Sequence, residues 1–200
     1  MENIQRVFIH ELGHFVANEI NLSCYGGSGT EAITIFPCKE NPNIFCGGTT
    51  PVLPLDTNPS TPPPIERLAQ NLVGISYGCI FQAYYQQGSL SNCFRVNGCN
   101  DFEARRGFLS THKLNHIDAQ LFKLSNDYLE YLLKDEHLHK FINIDISLFL
   151  DIKSTAEQKI DIQKLKDVTS TAIENHKNHY DLHVQEHQKI IDSTFRRGSA

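Results

Sequence analysis

A chain of 200 residues, 40% hydrophobic and 20% charged, fits one soluble globular domain, expected over residues 1–195 with a flexible tail over 196–200. A net charge of −5 and 18 scattered basic residues leave no basic footprint for a nucleic acid. The charged first residues do not read as a signal peptide, so a cytoplasmic location is expected.

The first predicted element is a helix over 3–20, with Asn3 as candidate N-cap. Ile4, Phe8, Leu12 and Phe15 recur at three- or four-residue spacing and form an apolar stripe. Within this helix, His10-Glu11-Leu12-Gly13-His14 is the zinc-protease pattern His-Glu-x-x-His. Helical residues four apart sit about 40° apart around the axis, so His10 and His14 point the same way and can share one Zn²⁺ at about 2 Å. Glu11 lies on the flank of that face, where a carboxylate can take a proton from an attacking water without ligating the metal. Gly13 costs about 1 kcal/mol of helix stability against alanine, which suggests close approach of another backbone.

Glycines make 23–29 a loop, and the β-branched alternation of 31–37 predicts a strand closed by Pro37. A turn over 39–43 leads to a second strand over 44–53, where Gly47 and Gly48 mark a bulge or a backbone close to a ligand. The proline-rich stretch 55–64 is an irregular loop, and a helix follows over 65–86 with prolines at its start and Gly88 at its end. No charged residue occurs from Leu68 to Phe94, but Gln70, Asn71, Gln82, Gln86 and Gln87 make a buried core helix a better reading than a membrane span. Gly74 and Gly78, one turn apart, permit close packing against the zinc helix near Gly13. A loop over 93–99 precedes a helix capped by Asn100, then helices over 115–133 and 135–142. Residues 145–150 fit helix or strand, and a last helix is expected over 155–193.

The six cysteines, Cys24, Cys38, Cys46, Cys79, Cys93 and Cys99, contain no Cys-x-x-Cys pair, which argues against a zinc knuckle. Reduced thiols are the default for a cytosolic chain; Cys38 and Cys46 flank a loop and pair if oxidised.

Three stretches, in order, resemble the peptidase domain of the FtsH-type AAA zinc proteases. His10-Glu11-Leu12-Gly13-His14-Phe15-Val16-Ala17 resembles their His-Glu-x-Gly-His-x-x-Ala helix. Ile33-Thr34-Ile35-Phe36-Pro37 followed by Gly47-Gly48-Thr49-Thr50 is similar to their next two strands, and Asn97-Gly98-Cys99-Asn100-Asp101-Phe102-Glu103 to their Thr-Gly-Ala-Ser-Asn-Asp-Leu-Glu segment. The resemblance implies a mainly α (α+β) fold, a zincin-like helical bundle with a small β-sheet. It places the third zinc ligand on Asp101, beside His10 and His14, with Glu11 as general base. Glu103, His112 and His116 are the alternative third ligands. Val96 and Asn97 stand where the family tends to have Ser-Thr, and the loop from Cys38 to Cys46 is longer than usual. No ATPase module precedes the zinc helix in this sequence, so ATP-driven feeding is not carried over.

His176, His179, His183 and His187 form a helical stripe, and His183-Val184-Gln185-Glu186-His187 matches the inverted pattern His-x-x-Glu-His. Too little chain follows to supply another ligand, so a packing or solvated stripe is expected. Arg105 and Arg106 are expected on a solvated helix face. The expectation is therefore a zinc-dependent endopeptidase that cuts flexible polypeptides, with substrate held by strand addition on 44–53. Its partners would be a polypeptide substrate and no nucleic acid; self-association and a separate ATPase or unfoldase stay open. The rival is a non-catalytic zinc module derived from a protease domain, which intact Glu11 disfavours.

Overall fold

The apolar stripe of the first helix does what its spacing requires. In a computed structural model of the chain, which describes residues 2–39, 41, 44–52, 64–96, 98–134 and 136–197, α1 (Glu2–Tyr25) buries Ile4, Phe8, Leu12 and Phe15 in the core. Asn3 is not its cap. The helix already starts at Glu2, and the Asn3 side chain instead accepts a hydrogen bond from the Phe45 amide at 2.5 Å, fastening α1 to the strand that follows.

That strand belongs to a three-stranded antiparallel sheet in the order β2-β1-β3. β1 (Thr30–Pro37) turns Ile33 and Ile35 into the core, and β2 (Phe45–Pro51) pairs with it so that Ile33 faces Thr49 and Ile35 faces Gly47. The register irregularity lies between Thr30 and Ala32 of β1 and not at the glycines of β2. Cys38 and Cys46 are joined by a disulfide, with Cα atoms 5.5 Å apart. The default of reduced thiols does not hold for this pair, the one whose loop position allowed pairing on oxidation: the hairpin pairs Phe36 with Cys46 and the Cys38 amide with the Ile44 carbonyl, which brings the two cysteines within bonding range.

α2 (Ile65–Gln86) is the uncharged stretch, and it is a core helix. Among the described residues no helix is long and apolar enough to cross a membrane. Pro64 precedes it, and Gln87, in the left-handed conformation (φ 49°), ends it one residue before Gly88. α1 and α2 pack together at Gly13: a Cβ there would come within 2.5 Å of the Tyr77 carbonyl oxygen and 2.9 Å of Gly78 Cα. The helix cost of this glycine is therefore offset by a backbone contact that no side chain would permit.

The remaining chain is helical: α3 (Leu90–Val96), α4 (Cys99–Thr111), α5 (Asp118–Lys134), α6 (His139–Ile142) and α7 (Ile162–Arg197), with short 3₁₀ turns at Asn115–Ile117 and Ile146–Leu148. α3 stands where the first part of a 93–99 loop was expected. α4 starts after Gly98, not with Asn100 as cap. α7 starts later than expected, because residues before it serve the sheet. β3 (Gln158–Lys159) pairs with Ile35 and Thr34, and the Ile160 amide donates to the Ile33 carbonyl at 2.9 Å. Asp161 then accepts from the Lys164 amide at 3.0 Å and caps the helix. The result is a mainly helical domain with one small sheet. The expected 55–64 loop lies outside the described residues apart from Pro64, as do Asn97 and the tail from 198 to 200.

Arg105, expected on a solvated helix face, is in the core. It is 2% exposed, donates to Asp118 Oδ1 at 2.8 and 3.1 Å and to Ser76 Oγ at 3.2 Å, and so ties α4 to α5 and α2. Arg106 alone is solvated, in an exposed pair with Glu103. Three members of the α7 histidine stripe, His176, His183 and His187, are buried. His176 Nε2 meets the Tyr77 hydroxyl at 2.5 Å, and His183 stacks on Tyr128 at 4.0 Å, so the stripe is packing.

Candidate metal centre

His10 and His14 project from successive turns of α1 with ring centroids 5.0 Å apart. Each is oriented by α2. His10 Nδ1 donates to Gln82 Oε1 at 3.1 Å, and His14 Nδ1 donates to the Gly74 carbonyl at 3.1 Å. With the proton on Nδ1, each ring presents Nε2 as a lone-pair donor, the tautomer a metal ligand needs. The supporting residues lie at 74, 78 and 82, one turn apart on the same face of α2.

Asp101, in the first turn of α4, completes the cluster. Its Oδ2 lies 2.8 Å from His10 Nε2 and 3.3 Å from His14 Nε2, and the two Nε2 atoms are 3.3 Å apart. Donors held about 2.0–2.1 Å from a tetrahedral zinc stand roughly 3.3 Å from one another, so two edges of this triangle match that geometry and the third is shorter. Gly78 makes room for it: a Cβ there would fall 2.4 Å from His14 Nε2 and 2.8 Å from His10 Nε2. The donor set and its cradle fit a divalent zinc ion.

Electrostatics agree. Burial acts to lower the pKa of both imidazoles, but the Asp101 carboxylate outweighs it and raises His10 to about 10 and His14 above its ordinary value. Burial pushes Asp101 the other way, and the two imidazoles overcome it and hold the carboxylate well below its usual range. Three donors that gather positive charge so strongly are a site where a cation can replace protons.

Glu11 is 5% exposed and does not join the donor triangle. Its Oε2 accepts from Thr49 Oγ1 of β2 at 2.7 Å. Gly47 allows this approach, since a Cβ there would lie 2.6 Å from Glu11 Cγ and 2.7 Å from Oε1. The glycine in the second strand thus marks a close backbone approach to Glu11; Gly48 has open space around it. Glu11, His10, His14 and Asp101 all line a cleft of about 780 Å³, with β2 along one side.

The alternative third ligands are elsewhere. The Glu103 side chain is 68% exposed and paired with Arg106, His112 lies against the Phe108 ring, and His116 is exposed. Among the described residues, no metal-competent group includes the α7 histidines, and Glu186 of the inverted pattern is exposed and paired with Lys189. A second candidate group joins His10 with Cys79 and Cys93, both buried. Thr49, Gln82 and the cysteine pair were missed in the sequence; the four-residue step from Gly78 to Gln82 was the available signal for Gln82.

The chain matches no protein-family model, no curated protein and no solved structure.

Proposed function

We propose that the protein is a zinc-dependent endopeptidase acting on flexible or unfolded polypeptides, with an FtsH-like peptidase architecture. The observation that carries this is the convergence of His10 Nε2, His14 Nε2 and Asp101 Oδ2 within 3.3 Å, beside a carboxylate outside the triangle. A zinc ion, when bound, supplies Lewis-acid polarisation of a carbonyl and acidification of water.

The chain's own residues supply the rest. His10, His14 and Asp101 would hold the ion; Gln82 and the Gly74 carbonyl keep the two imidazoles in the ligating tautomer. Glu11 is the general base: it removes a proton from the attacking water and delivers it to the departing amine. The Thr49 hydroxyl occupies one carboxylate oxygen and orients the other. β2 is an outer strand of the sheet and lines the cleft, so an extended peptide can add to it through main-chain hydrogen bonds. Such recognition reads backbone, which suits unfolded chains of varied sequence.

The test is zinc content together with hydrolysis of a casein-like chain. About one zinc per chain and chelator-sensitive cleavage are expected. Zinc without cleavage would instead favour a non-catalytic zinc module.

A further inference from the structure

Beside His10 of the metal centre lie two thiols that the proposed hydrolysis does not use. Cys79 of α2 is fully buried and Cys93 of α3 is 3% exposed. Their sulfurs are 2.8 Å apart, and both lie within 4.8 Å of an imidazole nitrogen of His10. Two thiolates sharing one tetrahedral zinc, each about 2.3 Å from the metal, would stand roughly 3.8 Å apart. The observed separation is closer to a sulfur–sulfur bond of about 2.05 Å than to that chelate.

The pair also sits at the root of the third ligand. The Cys93 carbonyl accepts from the Gly98 amide at 2.8 Å, and Gly98 is the residue from which α4 starts, three positions before Asp101. A Cβ on Gly98 would lie 2.4 Å from Cys79 Sγ and 3.4 Å from Asp101 Oδ2. The sulfur of one helix is thus packed against the turn that delivers the carboxylate.

We propose that Cys79 and Cys93 are a reversible dithiol–disulfide pair, and that the disulfide fastens the Asp101 segment to α2. The oxidant is a peroxide, small enough to reach a buried thiol. The sulfur of Cys93, the less completely buried residue of the two, attacks one peroxide oxygen; the oxygen–oxygen bond breaks, Cys93 becomes a sulfenic acid and the first water leaves. The Cys79 sulfur then attacks the Cys93 sulfur, the sulfur–oxygen bond breaks and the second water leaves. Two thiols are oxidised by two electrons and one peroxide is reduced to two waters. A small dithiol reverses the reaction. The bond closes a loop between positions 79 and 93 and removes freedom from the chain that places Asp101, so zinc binds more tightly to the oxidised form.

The 200-residue chain is treated with a few equivalents of hydrogen peroxide, quenched, alkylated and mapped by mass spectrometry. Peptides carrying Cys79 and Cys93 are expected linked, two hydrogens lighter than their sum, and separated again by dithiothreitol. Recovery of both thiols alkylated, or of Cys93 as a sulfinic acid with no link, overturns the pair. Zinc affinity, read by competition with a chromophoric chelator, is expected to be several-fold tighter in the linked form, with no peroxide effect in Cys79→Ala. Equal affinities in a verified linked sample overturn the coupling to Asp101. A second zinc equivalent lost in Cys79→Ala assigns the thiols to metal binding and also overturns the proposal. The coupling rests on the zinc site described above and the cross-link does not: absence of zinc binding in either form counts against the metal centre and leaves the mass map to decide the cross-link.

Discussion

His10 Nδ1 donates to Gln82 Oε1 across 3.1 Å, and the Gln82 amide nitrogen in turn donates to Gln86 Oε1 at 3.0 Å. The second bond fixes which end of the amide faces the histidine, and the first fixes the histidine tautomer. Removing an outer partner of this kind weakens metal binding by about 10–100-fold. Gln82→Ala is therefore expected to lower zinc affinity within that range in a chelator competition, with the fold intact by circular dichroism.

The two glycines of α2 separate by function. At Gly78 an added Cβ would displace both imidazoles, whereas at Gly74 the nearest atom would be the Asn21 amide nitrogen at 3.9 Å, an ordinary contact. Gly78→Ala is expected to abolish zinc binding and to destabilise the fold by about 1–3 kcal/mol through overpacking. Gly74→Ala is expected to keep zinc and to gain up to about 1 kcal/mol of helix stability. Thermal unfolding and zinc content of the two variants check the pair.

Asp101→Ala is expected to weaken zinc binding by more than about 100-fold, beyond the effect of an outer partner. Glu103→Ala should change it little, because its exposed pair with Arg106 contributes about 0–1 kcal/mol and touches no donor. A zinc titration of both variants decides the third ligand.

The local parts of this centre were legible in the sequence. The four-residue histidine spacing, the apolar stripe through Leu12 and Phe15, and the bounds of α2 all follow from short-range periodicity and from Pro64. What escaped was set by distant partners. α7 begins at Ile162 because Lys159 and Ile160 hydrogen-bond to β1, more than a hundred residues earlier. Arg105 is buried because Asp118 and Ser76 converge on it from two other helices. Thr49 matters only because Gly47 lets β2 approach Glu11. None of these leaves a periodic signature.

Acid should unfold the protein through the α7 histidines. Burial is the main cause in each: it lowers His176 to about 3 and His187 to about 4, and places His183 well below 6.5. These folded-state values lie under the unfolded value of 6.5, so as pH falls through 6.5 the unfolded chain takes up protons that the folded chain refuses. Their contribution to stability is complete above 6.5 and is lost as pH drops from there towards about 4 and 3. Each contributes a slope of up to about 1.4 kcal/mol per pH unit. Urea unfolding at about pH 7 and about pH 5 is expected to show the loss, and His187→Gln to make the slope shallower.

The central claim is that Glu11 is the base of a zinc-dependent hydrolysis. Glu11→Gln keeps the size of the side chain and can still accept from Thr49, so zinc and fold should persist, but the amide takes no proton from water. The most direct measurement compares wild type and Glu11→Gln on a casein-like unfolded chain at matched zinc occupancy. The account predicts cleavage by the wild type, stopped by a chelator, and a loss of about 10²- to 10⁴-fold in the variant. Equal rates in the two proteins, or no cleavage by zinc-loaded wild type, would contradict it.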